Sequence, residues 1–363
     1  MKHCWEHKIF EDCLEKVVYT TKVLSKDYLE NGTFPIVSQE DGLISGYWNN
    51  ENDLFHIKKP IVVFGDHTRV LKYIDFDFVI GADGVKILQP IDTIQAKYLF
   101  YYLCWYNVPS LGYSRHYKLL KEINLPVPPI EEQKAICAEL DALSLVIEKK
   151  KEQIKQLDNL AQSIFYDTFG DPATNKRNFT ITNIGKIAVL KSGNSEANNS
   201  MEGDLPYVKV GDMNISGNEN YITTSSRFVD RLSNKKNIFP KGTIIFPKRG
   251  GAIGTNKKRL CKVDICCDLN TMGVIPDKGV VEPLYVFQYF KNIDLGRLCN
   301  GATIPQINNG DIAPLKILLP PLSLQQTFAE RIEGIERQKE LINQSIREVQ
   351  TLFDSRMDYY FRD

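Results

Sequence analysis

The sequence predicts an α+β protein in which two β-rich units alternate with two long helices. Two observations predict this fold. A stretch with heptad spacing occurs twice, and each copy follows a segment of short strand-like runs. The chain has 363 residues, enough for two or more domains, and 43% of them are hydrophobic, enough to form buried cores. The internal repeat therefore defines the organisation of the whole chain.

The repeated stretch covers residues 125–169 and 318–361. A shift of 192 residues, as from Gln133 to Gln325, also places Pro128-Pro129 on Pro320-Pro321 and Phe169 on Phe361. Since the two copies keep the same phase over several helical turns, we interpret them as a duplicated structural element.

The apolar residues of each copy fall on the a and d positions of a heptad, which form the buried stripe of a coiled coil. They are Ile136, Leu140, Leu143, Ile147, Ile154, Leu157, Ala161 and Ile164 in the first copy, and Phe328, Ile332, Ile335, Ile342, Ile346, Val349 and Phe353 in the second. Charged residues occupy three seam positions: Lys150, Lys339 and Arg356. We expect the two lysines to reach solvent at the rim of the seam. The alternative is that they fix the register of pairing.

Sequence signals also set the ends of both helices. The Pro-Pro dipeptide before each copy is incompatible with a helix interior and therefore marks a start. Gly170, Asp171 and Pro172 end the first helix, and the second runs to the end of the chain. Each helix is then about 38 residues and roughly 57 Å long. Because so narrow an apolar stripe needs a partner, we expect the two helices to pack on each other.

The segment before the first helix has the pattern of short strands separated by Gly, Asn and Asp. Its β-rich runs are Phe34–Val37, Pro60–Phe64, Tyr73–Ile80 and Val85–Leu88. An apolar helix at Gln95–Tyr106 follows, then a polar and aromatic loop at Gly112–Lys118, and a last strand at Glu122–Val127.

The segment between the helices repeats this order. Its strands are Leu205–Val208, Gly242–Phe246 and Leu315–Leu319, and its apolar helix is Leu284–Phe290. The stretch Cys299–Asn309 stands where the loop Gly112–Lys118 stood. We therefore divide the chain into a first β-rich unit (1–124), a first helix (125–170), a second β-rich unit (171–316) and a second helix (317–363).

Composition bounds the class of protein. The formal net charge is zero, which argues against a protein that is basic all over but allows a local basic patch. Without a long apolar run or a signal-peptide pattern, the chain is expected to be cytoplasmic and to have no membrane partner. The eight cysteines include no C-x-x-C pair, so we expect buried free thiols.

One stretch concentrates positive charge. Between Lys235 and Lys262 the sequence has nine basic residues and no acidic one: Lys235, Lys236, Lys241, Lys248, Arg249, Lys257, Lys258, Arg259 and Lys262. Such a concentration is what binding to the DNA backbone needs, and it makes affinity fall as salt rises. The alternative interpretation is a solvated surface hairpin.

Reading bases needs forked side chains at loop tips, arginine for guanine and Asn or Gln for adenine. Arg249, Gln306 and Asn308 are the candidates in the second unit. Arg69, Arg115 and His116 are the candidates in the first, with Tyr113 and Tyr117 nearby for contacts to sugars or base edges. Each could instead be a turn residue that bonds its own backbone, Asn308 above all.

The sequence predicts no catalytic site, metal site or cofactor. The glycine-rich stretch Gly250–Lys257 does not match a phosphate-cradling G-x-x-x-x-G-K-[ST] motif, and the five histidines lack metal-ligand spacing. The stretch Asp66–Arg69 fits a polar turn or a DNA-contact loop better than acid/base chemistry.

The chain resembles the specificity subunit of type I restriction-modification systems over its whole length. The resemblance rests on the lead-ins Pro128–Gln133 and Pro320–Gln325, the segment Gly242–Gly251, and the run Asn300–Gln306. In that family two target recognition domains alternate with two helical repeats. The chain departs from the pattern in its first β-rich unit, which has no close counterpart of Asn300–Thr303.

The resemblance implies an antiparallel coiled coil with a pseudo-twofold internal repeat, which holds the target recognition domains apart. Each domain would read one half of a bipartite target in double-stranded DNA. Two methyltransferase subunits would dock on the helical repeats, restriction subunits could join them, and the chemistry would reside in these partners. The alternative is a coiled-coil scaffold whose two globular units bind other proteins.

The predicted helix length can be compared with the spacing of recognition elements on a DNA duplex. Readers on a duplex commonly lie one turn apart, about 34–36 Å, and a rod of roughly 57 Å is long enough for that. We therefore expect a gapped target with a fixed spacer that changes when the helix length changes.

Overall fold

The structure, a computed structural model, describes residues 5–171, 174–195, 203–299 and 304–362. The chain forms two compact units. Unit 1 comprises residues 1–152 and 342–363, and unit 2 comprises residues 153–341. Each unit thus contains half of both long helices. The α+β class with its internal repeat is confirmed, while the four-part division made from the sequence stays a prediction.

Unit 1 combines three small sheets with one apolar helix. Its strands are β1 (Glu6–Ile9), β2 (Lys22–Val23), β3 (Phe34–Val37), β4 (Gly46–Trp48), β5 (Leu54–Phe55), β6 (Ile61–Gly65), β7 (Leu71–Ile74), β8 (Phe78–Gly81), β9 (Val85–Leu88) and β10 (Asn124–Val127). The sheet orders are β1-β10, β2-β8-β3-β4 with β5 on β8, and β7-β6-β9. Helices α1 (Ala96–Tyr106) and α2 (Tyr117–Leu120) lie between β9 and β10.

Unit 2 has the same plan. Its strands are β11 (Thr180–Asn183), β12 (Ala188–Ser192), β13 (Leu205–Val208), β14 (Tyr221–Ile222), β15 (Phe228–Val229), β16 (Ile244–Pro247), β17 (Arg259–Cys261), β18 (Cys266–Cys267), β19 (Thr271–Pro276) and β20 (Lys316–Leu319). The sheet orders are β11-β20, β12-β19-β16-β17-β14 and β15-β13-β18. Its short helices are α4 (Ile184–Ile187), α5 (Pro283–Lys291) and α6 (Asn309–Ile312).

The two long helices are α3 (Ile130–Phe169) and α7 (Leu322–Phe361), so the Pro-Pro dipeptides mark their starts as predicted. Gly170 ends α3 with a positive φ of 76°, a conformation that favours glycine, and its N–H donates to the carbonyl of Tyr166 at 2.7 Å. Both helices have the predicted seam.

In unit 1 the first half of α3 packs on the last half of α7. The carboxylate of Glu139 pairs with Nε of Arg356 at 2.5 Å. The ring of Phe361 packs on Tyr98 with centroids 5.5 Å apart, and Nε1 of Trp105 donates to Asp358 at 2.8 Å. Early residues of α3 therefore meet late residues of α7, as antiparallel packing requires.

In unit 2 the last half of α3 packs on the first half of α7. Phe169 lies 5.1 Å from Phe328, ring to ring, and Nζ of Lys339 lies 2.8 Å from Asp158. The expectation that Lys339 reaches solvent is wrong. Only 5% of Lys339 is exposed, because Asp158 and Glu336 pair with its ammonium group inside the seam. Lys150, in contrast, is half-buried.

The same hydrogen bonds hold the apolar helix of each unit to its last strand. In unit 1 the hydroxyl of Tyr98 donates to the carbonyl of Pro126 at 2.9 Å. In unit 2 the hydroxyl of Tyr285 donates to the carbonyl of Leu318 at 2.8 Å. Since Pro126 and Leu318 are 192 positions apart, the internal repeat extends from the long helices into the units.

Two expectations about local structure need correction. The run Tyr73–Ile80 is two strands, β7 and β8, in different sheets, because Asp77 between them binds the N–H of Ile57 at 2.9 Å and the ring of His56 at 2.7 Å. Most of the described cysteines are buried free thiols, but Cys104 is exposed and Cys299 is partly exposed. Cys4 lies outside the described residues.

Candidate nucleic-acid interface

In unit 2 the residues that follow strand β16 meet the segment that precedes helix α6. The N–H of Ile307 donates to the carbonyl of Lys248 at 2.9 Å, and the N–H of Gly250 donates to the carbonyl of Pro305 at 2.9 Å. Between these bonds Arg249 and Gln306 form an isolated antiparallel bridge. We call Lys248, Arg249 and residues 305–308 site 2.

The surface of site 2 carries forked polar groups. Arg249 and Asn308 are exposed and Gln306 is partly exposed. The amide of Gln306 donates to Oδ1 of Asn308 at 2.7 Å, and the N–H of Asn308 donates to Asp311 at 2.7 Å at the start of α6. The backbone N–H of Asn308 is thus used in a local turn, which was the alternative to a base-reading role. The side chain of Asn308 stays at the surface. A guanidinium beside two carboxamides matches the donors and acceptors of base edges in the major groove.

Lys248 lies beneath this surface. Only 8% of it is exposed, and its Nζ donates to Oγ of Ser192, on β12, at 2.8 Å. Burial, with a further contribution from the charge of Arg249, lowers the pKa of Lys248. It makes no ion pair within the described part of the chain. Because an uncompensated buried charge is unfavourable, this ammonium group is suited to receive an anion.

Lys258, the middle member of the Lys257–Arg259 cluster, points into the protein. It is buried, and its Nζ donates to the carbonyl of Ile293 and, at 2.8 Å, to Oδ1 of Asn256. Burial lowers the pKa of Lys258 to about 8. Its predicted contact with DNA stays untested, and the structure gives it a bonding role between two loops.

The two neighbours of Lys258 also bind within unit 2. Arg259 is partly buried, and its guanidinium donates to the carbonyls of Met213 and Lys258, each at 2.9 Å. Lys257 is partly exposed and donates to Oδ1 of Asn214 at 2.5 Å. Of the three, Lys257 is the most available for a phosphate, and the DNA contacts of both residues stay predictions.

In unit 1 the residues that follow strand β6 meet the segment that precedes helix α2. The carbonyl of Asp66 accepts the N–H of His116 at 2.8 Å, and Oδ1 of Asp66 accepts the N–H of Tyr117 at 2.8 Å. The ring of His116 is buried, with Nδ1 2.9 Å from the carbonyl of Asp66 and Nε2 accepting the N–H of Leu111 at 3.0 Å. We call Asp66–Arg69 and residues 108–117 site 1.

Arg69 has a supporting position in site 1. Its φ is +64°, in the left-handed region that non-glycine residues rarely adopt, and Nη1 donates to the carbonyl of Val108 at 2.9 Å. Arg115 is exposed and Tyr117 is partly exposed, with burial raising the pKa of the Tyr117 hydroxyl. Of the predicted residues in this site, Tyr113, Arg115 and Tyr117 therefore face solvent, whereas Arg69 and His116 hold the loop. Their DNA contacts stay predictions.

The two sites are built alike. In each, the residue that directly follows the central strand accepts a main-chain hydrogen bond from the segment after the apolar helix. Asp66, after β6, accepts from His116, and Lys248, after β16, accepts from Ile307. The correspondence between the two loops that the sequence suggested extends to residues 304–309, and Asn300–Thr303 lie outside the described residues. A buried acid thus stands in site 1 where a buried lysine stands in site 2.

Sequence reasoning missed two partners of site 2. Ser192 binds the ammonium group of Lys248, and the carbonyl of Asn270 accepts its N–H at 2.8 Å. Both come from distant strands, β12 and the start of β19, and no local pattern marks them. In site 1, the ring of His67 stacks on Tyr113, a contact that the sequence analysis of the stretch Asp66–Arg69 did not predict.

No group of three or more His, Cys, Asp or Glu side chains placed to hold a metal ion occurs among the described residues. No described helix is both long and apolar enough to cross a membrane. The stretch Asp66–Arg69 forms the tight turn between β6 and β7, in which the N–H of Arg69 donates to the carbonyl of Gly65 at 2.7 Å.

The protein thus has two β-rich units that alternate with two long packed helices, and each unit has a polar loop site at the end of its central strand. The sequence profile of the type I restriction modification DNA specificity domain matches residues 5–159 and 174–351. The chain belongs to this family.

Named relatives are specificity subunits of type I restriction enzymes. The EcoR124I/EcoR124II specificity subunit of Escherichia coli is 22% identical over 367 residues, which cover 93% of this chain and 88% of the relative. The MjaIX specificity subunit of Methanocaldococcus jannaschii is 24% identical over 286 residues, which cover 69% of this chain and 65% of the relative.

A solved structure shows the same fold. The S subunit of a type I restriction-modification system from M. genitalium superposes with a TM-score of 0.59 over 99% of this chain and 96% of that chain, at 14% identity. The match extends along the whole fold, long helices and β-rich units together.

Proposed function

We propose that this chain is a non-catalytic subunit that reads a bipartite target in double-stranded DNA, with a spacer of fixed length between the two half-sites. The observation that carries the proposal is the duplication of one site on two unlike surfaces. Site 1 and site 2 share main-chain geometry, but one presents Arg115 and Tyr117 and the other Arg249, Gln306 and Asn308. Two sites with the same main-chain geometry but different exposed side chains are suited to bind two half-sites of different sequence.

The predicted DNA-binding residues have three proposed roles. Arg115, Tyr117, Arg249, Gln306 and Asn308 reach solvent and are proposed to contact bases or sugars. Lys248 and Lys257 are proposed to contact phosphates. The remaining candidates are proposed to act indirectly, by holding these loops in place: Arg69, His116, Lys258 and Arg259.

Two methyltransferase subunits are proposed to dock on the long helices, with restriction subunits joining them where the system has them. Leu160 on α3 is 47% exposed and Leu352 on α7 is 49% exposed, and neither is a seam position. They occupy equivalent positions of the repeat, 192 residues apart, and one belongs to each unit. Duplicate apolar positions suit two copies of one partner.

The complex would act in the cytoplasm, where the DNA is. The proposal is tested by mapping methylated adenines across the genome of a host that expresses this chain with its methyltransferase. We expect a single two-part motif with a constant gap, which disappears when this chain is deleted. Methylation that is unchanged by the deletion would contradict the proposal.

The alternative, a scaffold that binds proteins through both units, is separated from it by charge reversal. Arg249→Glu should lower DNA affinity at least tenfold, because it replaces a favourable base or phosphate contact by repulsion. The control is Lys278→Glu, an exposed lysine beside Gly242 at the other end of strand β16. Equal loss of DNA affinity in both variants, or no loss in either, would favour the scaffold.

A further inference from the structure

Site 1 carries an apolar tip that the proposed function leaves unexplained. In the loop between α1 and α2, the side chain of Tyr113 is 98% exposed and that of Leu111 is 45% exposed. The ring of Tyr113 lies against His67, with centroids 5.7 Å apart and planes inclined by 19°. Large apolar side chains held in water at a loop tip indicate a contact surface.

The tip is held by several bonds to the body of unit 1. Arg69 binds the carbonyl of Val108 on one side of the tip, and the buried ring of His116 accepts the N–H of Leu111. Gly112 has a positive φ of 70°, and its carbonyl accepts the N–H of Ser114 at 2.9 Å, which closes a tight turn. The exposure of Tyr113 is therefore a property of a supported turn.

The side chains of the tip are neutral, so they offer apolar contact rather than charge neutralisation. From Asn107 to Ser114 the sequence is NVPSLGYS, with no charged side chain. Neutralising a phosphate needs Lys or Arg, and this segment has neither. The apolar group that a base edge offers in the major groove is the C5-methyl of thymine.

We propose that Tyr113 contacts the C5-methyl group of a thymine in the half-site read by unit 1. The inference rests on the proposed function and names the base that this site selects. It follows that the two half-sites are read by different chemistry. Site 1 uses apolar contact beside Arg115, and site 2 uses the forked polar groups of Arg249, Gln306 and Asn308.

The test replaces thymine by uracil, which removes only the methyl group. Once the motif is mapped, each thymine of the unit 1 half-site is replaced in turn, and the methylation rate of the assembled complex is measured. For the wild-type chain we expect one position at which uracil lowers kcat/KM about fourfold, the equivalent of one buried carbon. Tyr113→Ala should lose the same factor on thymine DNA and no longer distinguish uracil from thymine.

Tyr113→Phe is the matched control, because it keeps the ring and should keep the discrimination. Since the side chain is almost fully exposed, the thermal unfolding of Tyr113→Ala should equal that of the wild type. The inference is overturned if uracil is tolerated at every position by the wild type, or if Tyr113→Ala weakens thymine and uracil DNA equally.

A third outcome would also overturn it: loss of methyltransferase assembly in Tyr113→Ala with unchanged DNA affinity would make the tip a protein contact. Failure of the proposed function has a different signature. In that case the wild-type complex methylates no bipartite motif at all, whereas failure of the Tyr113 proposal leaves the motif methylated and only the response to uracil changed.

Discussion

The side-chain oxygen of Gln133 accepts a hydrogen bond from the backbone N–H of Gln95 at 2.9 Å. Its amide donates to the carbonyls of Thr93 and Pro128, each at 2.9 Å, and the side chain is fully buried. One side chain thus joins the first turn of α3 to the first turn of α1.

Gln325 has the same position in unit 2. It accepts the N–H of Glu282 at 2.9 Å and donates to the carbonyl of Pro320 at 2.8 Å. Glu282 precedes α5 as Gln95 precedes α1. The Pro-Pro-x-x-x-Gln lead-in therefore has a physical role in both units, because it locks a long helix to the unit beside it.

Gln133→Leu should lower the free energy of unfolding by about 3 kcal/mol, because an N–H and two carbonyls lose their buried partner. Urea denaturation followed by circular dichroism measures the change. Gln156→Leu is the control, since Gln156 is exposed on the same helix, and it should change stability by less than about 0.5 kcal/mol. Equal effects of the two substitutions would refute the role given to Gln133.

The ion pair between Lys339 and Glu336 in unit 2 can be tested by substituting its two residues singly and together and measuring the free energy of unfolding. Lys339→Ile should destabilise the protein by about 3 kcal/mol, because the mostly buried Glu336 is left without its partner. Adding Glu336→Leu should recover most of that loss, since it removes the second buried charge and leaves only Asp158, whose side chain is 47% exposed. Arg356→Ile, in the more exposed pair with Glu139, should cost less than about 1 kcal/mol. If urea denaturation showed that the losses of the two single variants simply add in the double variant, the role given to this ion pair would be wrong.

The buried Lys258 predicts a dependence of stability on pH. Its pKa falls to about 8 on folding, from about 10.4 for an unperturbed lysine, because burial disfavours the charged form. Between these two values the unfolded chain binds the proton and the folded chain does not, so this group's contribution to stability rises with pH.

We expect the stability of the wild type minus that of Lys258→Met to rise by about 2 kcal/mol from pH 7 to pH 10. Taking the difference removes the shared titration of tyrosines and cysteines. The measurement is urea denaturation at intervals of half a pH unit, and a difference that stays constant would show that Lys258 remains protonated when folded.

Lys248 predicts a change in salt dependence. If its ammonium group binds a phosphate, Lys248→Met should reduce the slope of log K against log salt by about one unit. The weakening should be the same for target and unrelated DNA, because phosphates carry no sequence information. Titrations from low to moderate salt measure the slope, and an unchanged slope would assign Lys248 a purely structural role.

The long helices could be predicted from sequence because heptad spacing and Pro-Pro starts are local signals. The observed starts, Ile130 and Leu322, directly follow the dipeptides. The burial of Lys339 was not predicted, since its partner Asp158 lies on the other helix and a seam slot by itself does not specify what lies opposite. Strands were placed well wherever turn residues flanked them.

The sequence named the candidate residues one by one and did not predict how they are arranged. The bridge between Arg249 and Gln306 joins two segments that are far apart in the sequence, so it became visible only in the structure. Burial did not follow, since a run of charges such as Lys257–Arg259 leaves open which side chains turn inward. His116 and Lys258 each bind a backbone carbonyl and support a loop, and the sequence gives no sign of which carbonyls lie near them.

Unit 1 is completed by residues far away in the sequence. Met357 and Phe361 are buried in its core, where Phe361 packs on Tyr98 and Tyr102. A ribosome that makes the chain from its N-terminus finishes unit 2, residues 153–341, before residues 342–362 exist. The first domain to be synthesised is therefore the last to close. A product cut short inside α7 would leave the aromatic core of unit 1 open, and we expect such incomplete chains to be cleaved by proteases faster than the full chain.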